Sequence, residues 1–187
     1  MKVVQVNAEA QRNACLARLC AEVYGQEAGL TPLVVFTGTC NVLFPQEAAR
    51  LFASVDGKGR PQALALLVLD EEGVGMTVTH ACALADANAH QHLIRELSLK
   101  APLRVEADDA QQEAFYQKSG IKRWFVGSKG KRIGLGARHP AQSVSELAPT
   151  LALDEALILR RFKHDPSTFE TAKKSFLNGL NDFPETL

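Results

Sequence analysis

One apolar run sets the strongest limit on the fold of this chain. Residues 62–71, QALALLVLDE, are apolar at almost every position between two turns that are rich in glycine. Successive side chains of a β-strand point to opposite faces of its sheet, so a strand that is apolar at odd and even positions is buried on both faces. We therefore predict a strand in the middle of a sheet, with other elements covering both faces.

The segments on either side of this run predict further strands. Residues 50–55, RLFASV, lead through the turn DGKGRP into the apolar run, which is the pattern of a β-hairpin. Residues 76–84, MTVTHACAL, follow the turn EEGVG and alternate β-branched with other residues. These segments predict three antiparallel strands that are consecutive in the chain.

Helices with clear boundaries surround the predicted strands. Residues 2–6, KVVQV, predict a first strand, after which Asn7 is expected to cap a helix that ends at Gly25 or Gly29. A second amphipathic helix covers 90–99, with Asp86 or Asn88 as its cap.

The strand PLRVEA, 102–107, follows this second helix and must therefore run parallel to the strand before it. Asp109 and Gln112 then form a capping-box pattern for a third helix that Gly120 ends. Residues 121–136 predict a final hairpin.

Two regions are less clearly defined. Residues 26–49 combine a Val-Val-Phe run typical of a strand with a Pro-Gln-Glu-Ala-Ala run typical of a first helical turn, and we leave their structure open. Gly136 ends the predicted domain, 1–136, and 137–187 predict a linker and a helical C-terminal extension. In its last helix Ser167 and Glu170 have capping-box spacing and Gly179 is the expected stop. The apolar stripe of this helix is expected to pack on the domain or on a partner subunit.

Composition narrows the class of protein. The 187 residues carry 21 acidic and 21 basic side chains, so a generally basic surface for nucleic acid or an acidic membrane is not expected. Four cysteines without a C-x-x-C pair favour buried thiols in a reducing compartment. The longest apolar run is far below a membrane span, and the N-terminus does not resemble a signal peptide. We predict a cytoplasmic protein.

The order of elements and the stretch AFYQKSGIKRWF, 114–125, resemble the GNAT superfamily of N-acetyltransferases, of which this chain is identified as a divergent member. Members commonly carry Y-x-K-x-G-F on the helix before the last hairpin. The resemblance covers about 49–136 and implies an α/β fold with a mixed central β-sheet flanked by helices. It also implies acetyl-CoA (coenzyme A) as co-substrate, and Tyr116 as the acid that protonates the departing thiolate. A phenol with a reference pKa of about 10 suits that role.

The resemblance also implies where the cofactor lies. It places the cofactor-binding residues along Cys82, Leu84, Asn88, Ala89, His90 and Asp109. Family members usually carry R/Q-x-x-G-x-G/A in the loop that holds the pyrophosphate, whereas residues 84–92, LADANAHQH, contain neither glycine nor arginine. His90 is expected to supply part of the missing positive charge, and backbone amides near Leu84 to polarise the thioester carbonyl. Asp109 stands where the family often has an asparagine.

Within this resemblance His80 lies on the strand that borders the reaction cleft and is the expected general base, since an imidazole pKa near 6.5 suits amine deprotonation. A metal site formed by His80, Cys82, His90 and His92 is not predicted, because their spacing matches no common zinc pattern.

Three classes of function follow. The first is an acetyl-CoA-dependent N-acyltransferase that acts on a small-molecule or peptide amine. The second is a non-catalytic GNAT-like binding or interaction protein, in which the tail helices could form a homodimer arm. The third is a nucleic-acid binder that uses the basic residues around Trp124 and Phe125, which the neutral net charge disfavours. The acceptor cannot be read from the sequence.

Overall fold

A mixed sheet forms the centre of the molecule in the computed structural model, which describes residues 1–187. Its seven strands lie in the order β1-β2-β3-β4-β5-β7-β6, and β4 and β5 are the parallel pair. The strands are β1 (Lys2–Gln5), β2 (Ala49–Val55), β3 (Pro61–Leu69), β4 (Met76–Ala83), β5 (Leu103–Ala107), β6 (Arg123–Val126) and β7 (Arg132–Leu135). Every predicted strand is present, including the parallel one.

Helices cover both faces of the sheet. They are α1 (Glu9–Tyr24), α2 (Thr31–Gly38), α3 (Ala87–Lys100), α4 (Ala110–Lys118), α5 (Glu155–His164) and α6 (Pro166–Asn181). Buried residues of α1 and α2 join one core cluster, and those of α3 join the cluster on the opposite face. The predicted α/β class with a helical C-terminal segment is confirmed.

Strand β3 occupies the central position that its sequence predicts. Leu64, Leu66 and Val68 belong to the core on the α1 face, whereas Ala63, Ala65 and Leu67 belong to the core on the α3 face. All six side chains are almost completely inaccessible to solvent. This strand therefore joins the two hydrophobic layers of the protein.

Several helix boundaries follow the predicted capping residues. Asp86 caps α3 by accepting a 2.9 Å hydrogen bond from the Asn88 amide. Asp109 caps α4 by accepting a 2.8 Å bond from the Gln112 amide. The Gln112 side chain in turn accepts a bond from the Asp108 amide, one residue before the cap. Gly120 follows α4 with φ of 96°, a conformation that glycine adopts without steric cost.

Other predicted boundaries are wrong. Ala8 precedes α1 without a side-chain cap, so Asn7 does not cap it. In α6 the cap is Asp165, whose carboxylate accepts from the amides of Ser167 and Thr168, because Pro166 occupies the first helical position. Gly179 lies inside α6 and does not end it. Its lack of a side chain allows α6 to pack closely against Ala17 of α1.

The segment left open by the sequence is helical. Residues 31–38 form α2, and Thr39–Leu43 continue as one π-helical turn. β-Branched residues favour strands only weakly, and burial overrides such preferences. Here Leu33, Val34, Val35 and Phe36 are all buried, because α2 lies between α1 and the C-terminal helices and contacts both. A helix that is apolar on all sides is typical of such a position.

The C-terminal extension packs on the rest of the chain. Phe176 and Leu180 of α6 contact the core on the α1 face, and Phe169 contacts a smaller cluster that includes Leu33 and Phe162. The segment before α5 runs beside the end of β3, where the Leu151 amide donates to the Leu69 carbonyl at 2.9 Å. No helix combines the length and apolar character that crossing a membrane requires.

Replacing Gly179 with valine is expected to lower the free energy of unfolding by about 2 kcal/mol, in the range typical of overpacked cores. A Cβ atom at this position would lie 2.9 Å from the Ala17 Cβ of α1, so the two helices would have to separate. Urea denaturation measures the change. Valine has a higher intrinsic helix propensity than glycine, so a loss of stability would come from the helix contact. Lys174→Val, at an exposed position of the same helix, is the control for an added valine away from that contact. Equal losses in both variants would show that the helix contact tolerates the larger side chain.

Candidate active site

The parallel strands β4 and β5 separate after a short paired stretch. Their register is limited to Met76 with Leu103 and Thr77 with Arg104, while β4 continues to Ala83. Alternate backbone amides and carbonyls of a strand point to each neighbour, so those of β4 that point toward β5 beyond Thr77 lack a strand partner. The separation thus exposes a strand edge in the interior of the sheet.

A β-bulge accompanies the separation. Leu66 pairs with His80 and Leu67 with Val78, which leaves Thr79 as an extra residue in β4. A bulge of this type bends its strand and redirects side chains. It lies next to the point where β4 leaves β5, and it turns the edge of β4 toward a cavity.

This cavity, hereafter the cleft, has a volume of about 850 Å³. Five consecutive residues of β4, 77–81, line it. Consecutive side chains of a strand point to opposite faces, so a single space bordered by all of them must lie against the strand edge. The other walls come from β5, the start of α3, α4 and the segment before α5.

Tyr116 and His80, the predicted acid and base, both line the cleft. Burial raises the pKa of the Tyr116 hydroxyl, with a smaller contribution from Asp108, so the phenol keeps its proton at neutral pH. Helix α4 positions Tyr116, and the capping interactions of Asp109 and Gln112 fix the start of that helix. Phe115 packs edge-on against the Tyr116 ring, with ring centroids 5.5 Å apart.

His80 is paired with a residue that the sequence analysis did not identify. Its Nε2 atom lies 2.7 Å from the hydroxyl of Tyr24, at the end of α1, and its Nδ1 lies 2.9 Å from the Thr79 hydroxyl. Burial lowers the pKa of His80 to about 4, so the imidazole is neutral at pH 7. Its basicity is thus well below the value near 6.5 that we expected. The two residues are 56 positions apart, and no local pattern relates them.

The loop that should hold a pyrophosphate has an acidic cap. Asp86 accepts hydrogen bonds from the amide and the side chain of Asn88, at 2.9 and 3.3 Å, and its carbonyl accepts from the Ala89 amide at 2.9 Å. The Leu84 amide donates to the Gln62 carbonyl at 2.8 Å. The expectation that amides near Leu84 polarise a thioester carbonyl is therefore wrong, because that amide is already paired across the sheet.

The structure separates the other residues predicted to bind the cofactor. Of these only His90 lines the cleft, where its ring lies 4.5 Å from that of Phe115. Burial lowers the pKa of His90 to about 4, so it adds no positive charge at neutral pH, contrary to our expectation. Cys82 and Leu84 pack against the core on the α1 face, and Ala89 is buried beneath the sheet. Their part in cofactor binding remains a prediction.

Charged side chains on the floor of the cleft neutralise one another. Arg104 donates to the Ala148 carbonyl at 3.0 Å and to Glu106 at 2.8 Å. Lys131 lies within 4 Å of both Glu106 and Asp108. The cleft therefore has no strong net charge.

The two arginines of the last hairpin are engaged within the chain. Arg123 donates to the carbonyls of Gly136, His139 and Ala141. Arg132 binds Glu113 at 3.1 Å, and the Trp124 indole donates to the Ile121 carbonyl. These contacts count against a nucleic-acid surface, which needs free cations and exposed aromatic rings. The histidines and Cys82 also form no group that could hold a metal ion.

Comparison with known proteins finds similarity in structure alone. No protein-family model and no curated sequence matches the chain. Aminoglycoside 6'-acetyltransferase type Ii aligns with a TM-score of 0.51 and 14% identity, over 72% of this chain and 95% of that one. An aminoglycoside 6'-N-acetyltransferase from Enterococcus faecium aligns at 0.49 and 10% identity, over 72% and 94%. Spermidine N-acetyltransferase from Vibrio cholerae, in complex with CoA and spermine, aligns at 0.42 and 11%, over 74% and 96%.

The first of these likenesses, at a TM-score of 0.51, is one of overall architecture. It extends over nearly the whole of the known structure and leaves part of this chain outside the alignment. At this level of identity the likeness concerns architecture. The chain has the fold of the GNAT acetyltransferases, in a divergent form.

Proposed function

We propose that this protein is an N-acyltransferase that moves an acetyl group from acetyl-CoA to an amine. One observation carries the proposal: Tyr116 and His80 border a cleft at a free strand edge, and His80 is hydrogen-bonded to Tyr24 in the adjoining pocket. Acyl transfer needs an acid, a proton acceptor and unpaired backbone groups close to the reacting atoms. The fold is that of proteins described as acetyltransferases, which supports the same reaction.

The cleft fits the reactive end of acetyl-CoA better than its pyrophosphate. The edge of β4 beyond Thr77 offers backbone groups to an extended acyl-thioester arm, as an added strand would use them. At the start of α3, the Asp86 carboxylate occupies the place where a helix N-terminus would bind a phosphate. We therefore expect coenzyme A to bind mainly through its pantetheine arm, and weakly.

The residues of the cleft have distinct roles in this proposal. Acetyl-CoA would supply an activated acetyl group, whose carbon–sulfur bond breaks as a bond to the amine nitrogen forms. Tyr116 donates a proton to the sulfur and regains one from solvent. The amine loses one proton to solvent before it attacks. The Tyr24 hydroxyl accepts the second proton as the carbon–nitrogen bond forms and passes its own to Nε2 of His80, a transfer that their 2.7 Å separation permits, and His80 then releases that proton to solvent. Backbone amides at the Thr79 bulge are the candidates to polarise the carbonyl.

The proposal is tested by mixing the purified protein with acetyl-CoA and a panel of primary amines while free thiol is recorded. Amine-dependent thiol release, together with N-acetylated product in the mass spectrum, would support acyl transfer. Calorimetric titration first establishes the acetyl-CoA concentration that saturates the protein. If no amine causes thiol release at that concentration, the proposal is rejected.

Asp86→Asn is expected to tighten the binding of coenzyme A about tenfold. A carboxylate ~6 Å from one phosphate charge costs about 0.7 kcal/mol in water, or roughly threefold in affinity, and the pyrophosphate carries two such charges. Asparagine caps helices as well as aspartate does, so the helix is retained. Calorimetric titration measures the affinity. Asp165→Asn, which changes the cap of α6 at an exposed site, is the matched control. Equal affinities in all three proteins would show that no phosphate approaches Asp86.

A second candidate function is binding without catalysis, and the acidic cap of α3 favours it. A GNAT-fold protein that has lost its phosphate loop would keep the cleft and bind another ligand or partner. Calorimetry separates the two functions: this alternative predicts no heat with coenzyme A up to millimolar concentration, even for the Asp86→Asn variant.

A further inference from the structure

A second pocket lies behind His80, on the side away from Tyr116. Its volume is about 290 Å³, and it shares Thr79, His80 and Thr150 with the cleft. The two spaces therefore meet at His80. The remaining walls come from the end of α1, from α2 and its π-helical turn, from β3 and from residues 151–155.

The C-terminal extension builds the outer wall of this pocket. Leu151 is held against β3 by its backbone bond to Leu69. Leu153 lies over α2 at Gly38, where an added Cβ would be 2.8 Å from its Cδ1 atom. Gly38 has no side chain and therefore leaves room for the Leu153 side chain at this position of α2. The pocket is thus a feature of the whole chain, and neither the sheet nor the extension forms it alone.

The lining of the second pocket is apolar apart from a few polar groups. Its apolar residues are Val35, Leu43, Leu66, Val68, Leu151, Ala152 and Leu153. Thr39 also lines it, is completely buried, and has a hydroxyl with no hydrogen-bond partner. A buried hydroxyl without a partner is costly, so a ligand that hydrogen-bonds to it would gain that energy on binding.

Glu155 is the one charged side chain in the lining. Burial raises the pKa of the Tyr24 hydroxyl, with smaller contributions from Cys20 and from Glu155. Glu155 therefore lies close enough to Tyr24 to act on its charge. One carboxylate beside the Tyr24–His80 pair balances a single ammonium group at the place where a proton acceptor is available.

We propose that the second pocket binds the acceptor, and that this acceptor is a small monoamine with an apolar body and one distal hydrogen-bonding group. The inference rests on the acyl transfer proposed above. The ammonium group lies at Glu155 and Tyr24, the body lies against Leu66 and Val68, and the distal group bonds to Thr39. A volume of about 290 Å³ limits the ligand to a small molecule. Polycations are disfavoured because the apolar lining offers no carboxylate to their further ammonium groups.

Tyramine, phenethylamine and spermidine are the probes for this site. Tyramine carries an amine, an aromatic body and a distal hydroxyl; phenethylamine lacks the hydroxyl; spermidine is a flexible polycation. We expect kcat/KM with acetyl-CoA to be highest for tyramine and lowest for spermidine.

Glu155→Gln is expected to raise the KM for tyramine about tenfold. Thr39→Val, which keeps the side-chain shape, is expected to abolish the preference for tyramine over phenethylamine. Glu170→Gln, an exposed change on α6, is the control.

Tyramine binding without acetyl-CoA separates this inference from the proposed function. Calorimetric titration of the full chain should show heat for tyramine that falls in both Glu155→Gln and Thr39→Val and is retained in Glu170→Gln. If binding follows this pattern without any acetyl transfer, the pocket assignment stands and the proposed function fails. If acetyl transfer occurs with spermidine preferred, or if neither variant changes tyramine binding or KM, the pocket assignment fails.

Discussion

Tyr116→Phe is expected to lower the rate of acetyl transfer at least ~100-fold while the affinity for coenzyme A stays nearly unchanged. A positioned general acid contributes on the order of 10²–10⁴ in rate, and the variant removes only the proton that would reach the leaving sulfur. The ring that packs against Phe115 is retained. Thiol release under saturating acetyl-CoA measures kcat, and calorimetric titration measures the affinity.

The phenylalanine variant is its own control for packing, because it differs from the native side chain by one oxygen atom. Urea denaturation should give unfolding free energies that agree within ~1 kcal/mol for the two proteins, since the hydroxyl makes no hydrogen bond within the chain that would be lost. Unchanged kcat in the variant would remove Tyr116 from the reaction and leave it a packing residue. A loss of coenzyme A affinity that matches the loss of rate would instead make it a binding residue.

Much of the fold was predictable because its main elements are local in sequence. The apolar pattern of 62–71 fixes a central strand, and the capping residues Asp86 and Asp109 fix the starts of α3 and α4. The parallel pairing of β4 with β5 follows from the single helix between them. These features depend on periodicity and on short-range hydrogen bonds, which a sequence displays directly.

The failures lie where distant segments determine the outcome. Helix α2 consists of residues that favour strands, and its burial between α1 and the C-terminal helices is a tertiary effect. Gly179 resembles a helix stop, yet it serves the close contact with Ala17. Of the residues proposed for catalysis, Tyr116 and His80 could be named from the sequence. The Tyr24 partner, the bulge at Thr79 and the pocket wall at Leu153 depend on contacts between residues far apart in the chain.

The cleft also has a predicted effect on stability. His80 and His90 are expected to make the protein markedly less stable between pH 6.5 and pH 4. Burial lowers the pKa of each to about 4 in the folded chain, whereas an unfolded histidine takes up a proton near pH 6.5. Between these values the unfolded state binds more protons, so the free energy of unfolding falls as the pH falls.

The contribution of the two histidines is large enough to be distinguished from that of the other groups that titrate between pH 6.5 and pH 4. At about 1.4 kcal/mol per pH unit, each lowered pKa changes the free energy of unfolding by roughly 3 kcal/mol over this range. Solvent that enters the cleft reduces the contribution of both histidines. Between pH 6.5 and pH 4, the free energy of unfolding is expected to fall in both proteins. In the double variant His80→Asn, His90→Phe we expect this fall to be smaller than in the native protein by at least ~2 kcal/mol. His164→Asn, at an exposed position, should lose as much as the native protein. Parallel curves for the double variant and the native protein would show that both imidazoles accept protons in the folded state, and that the cleft is more open to water than its geometry indicates.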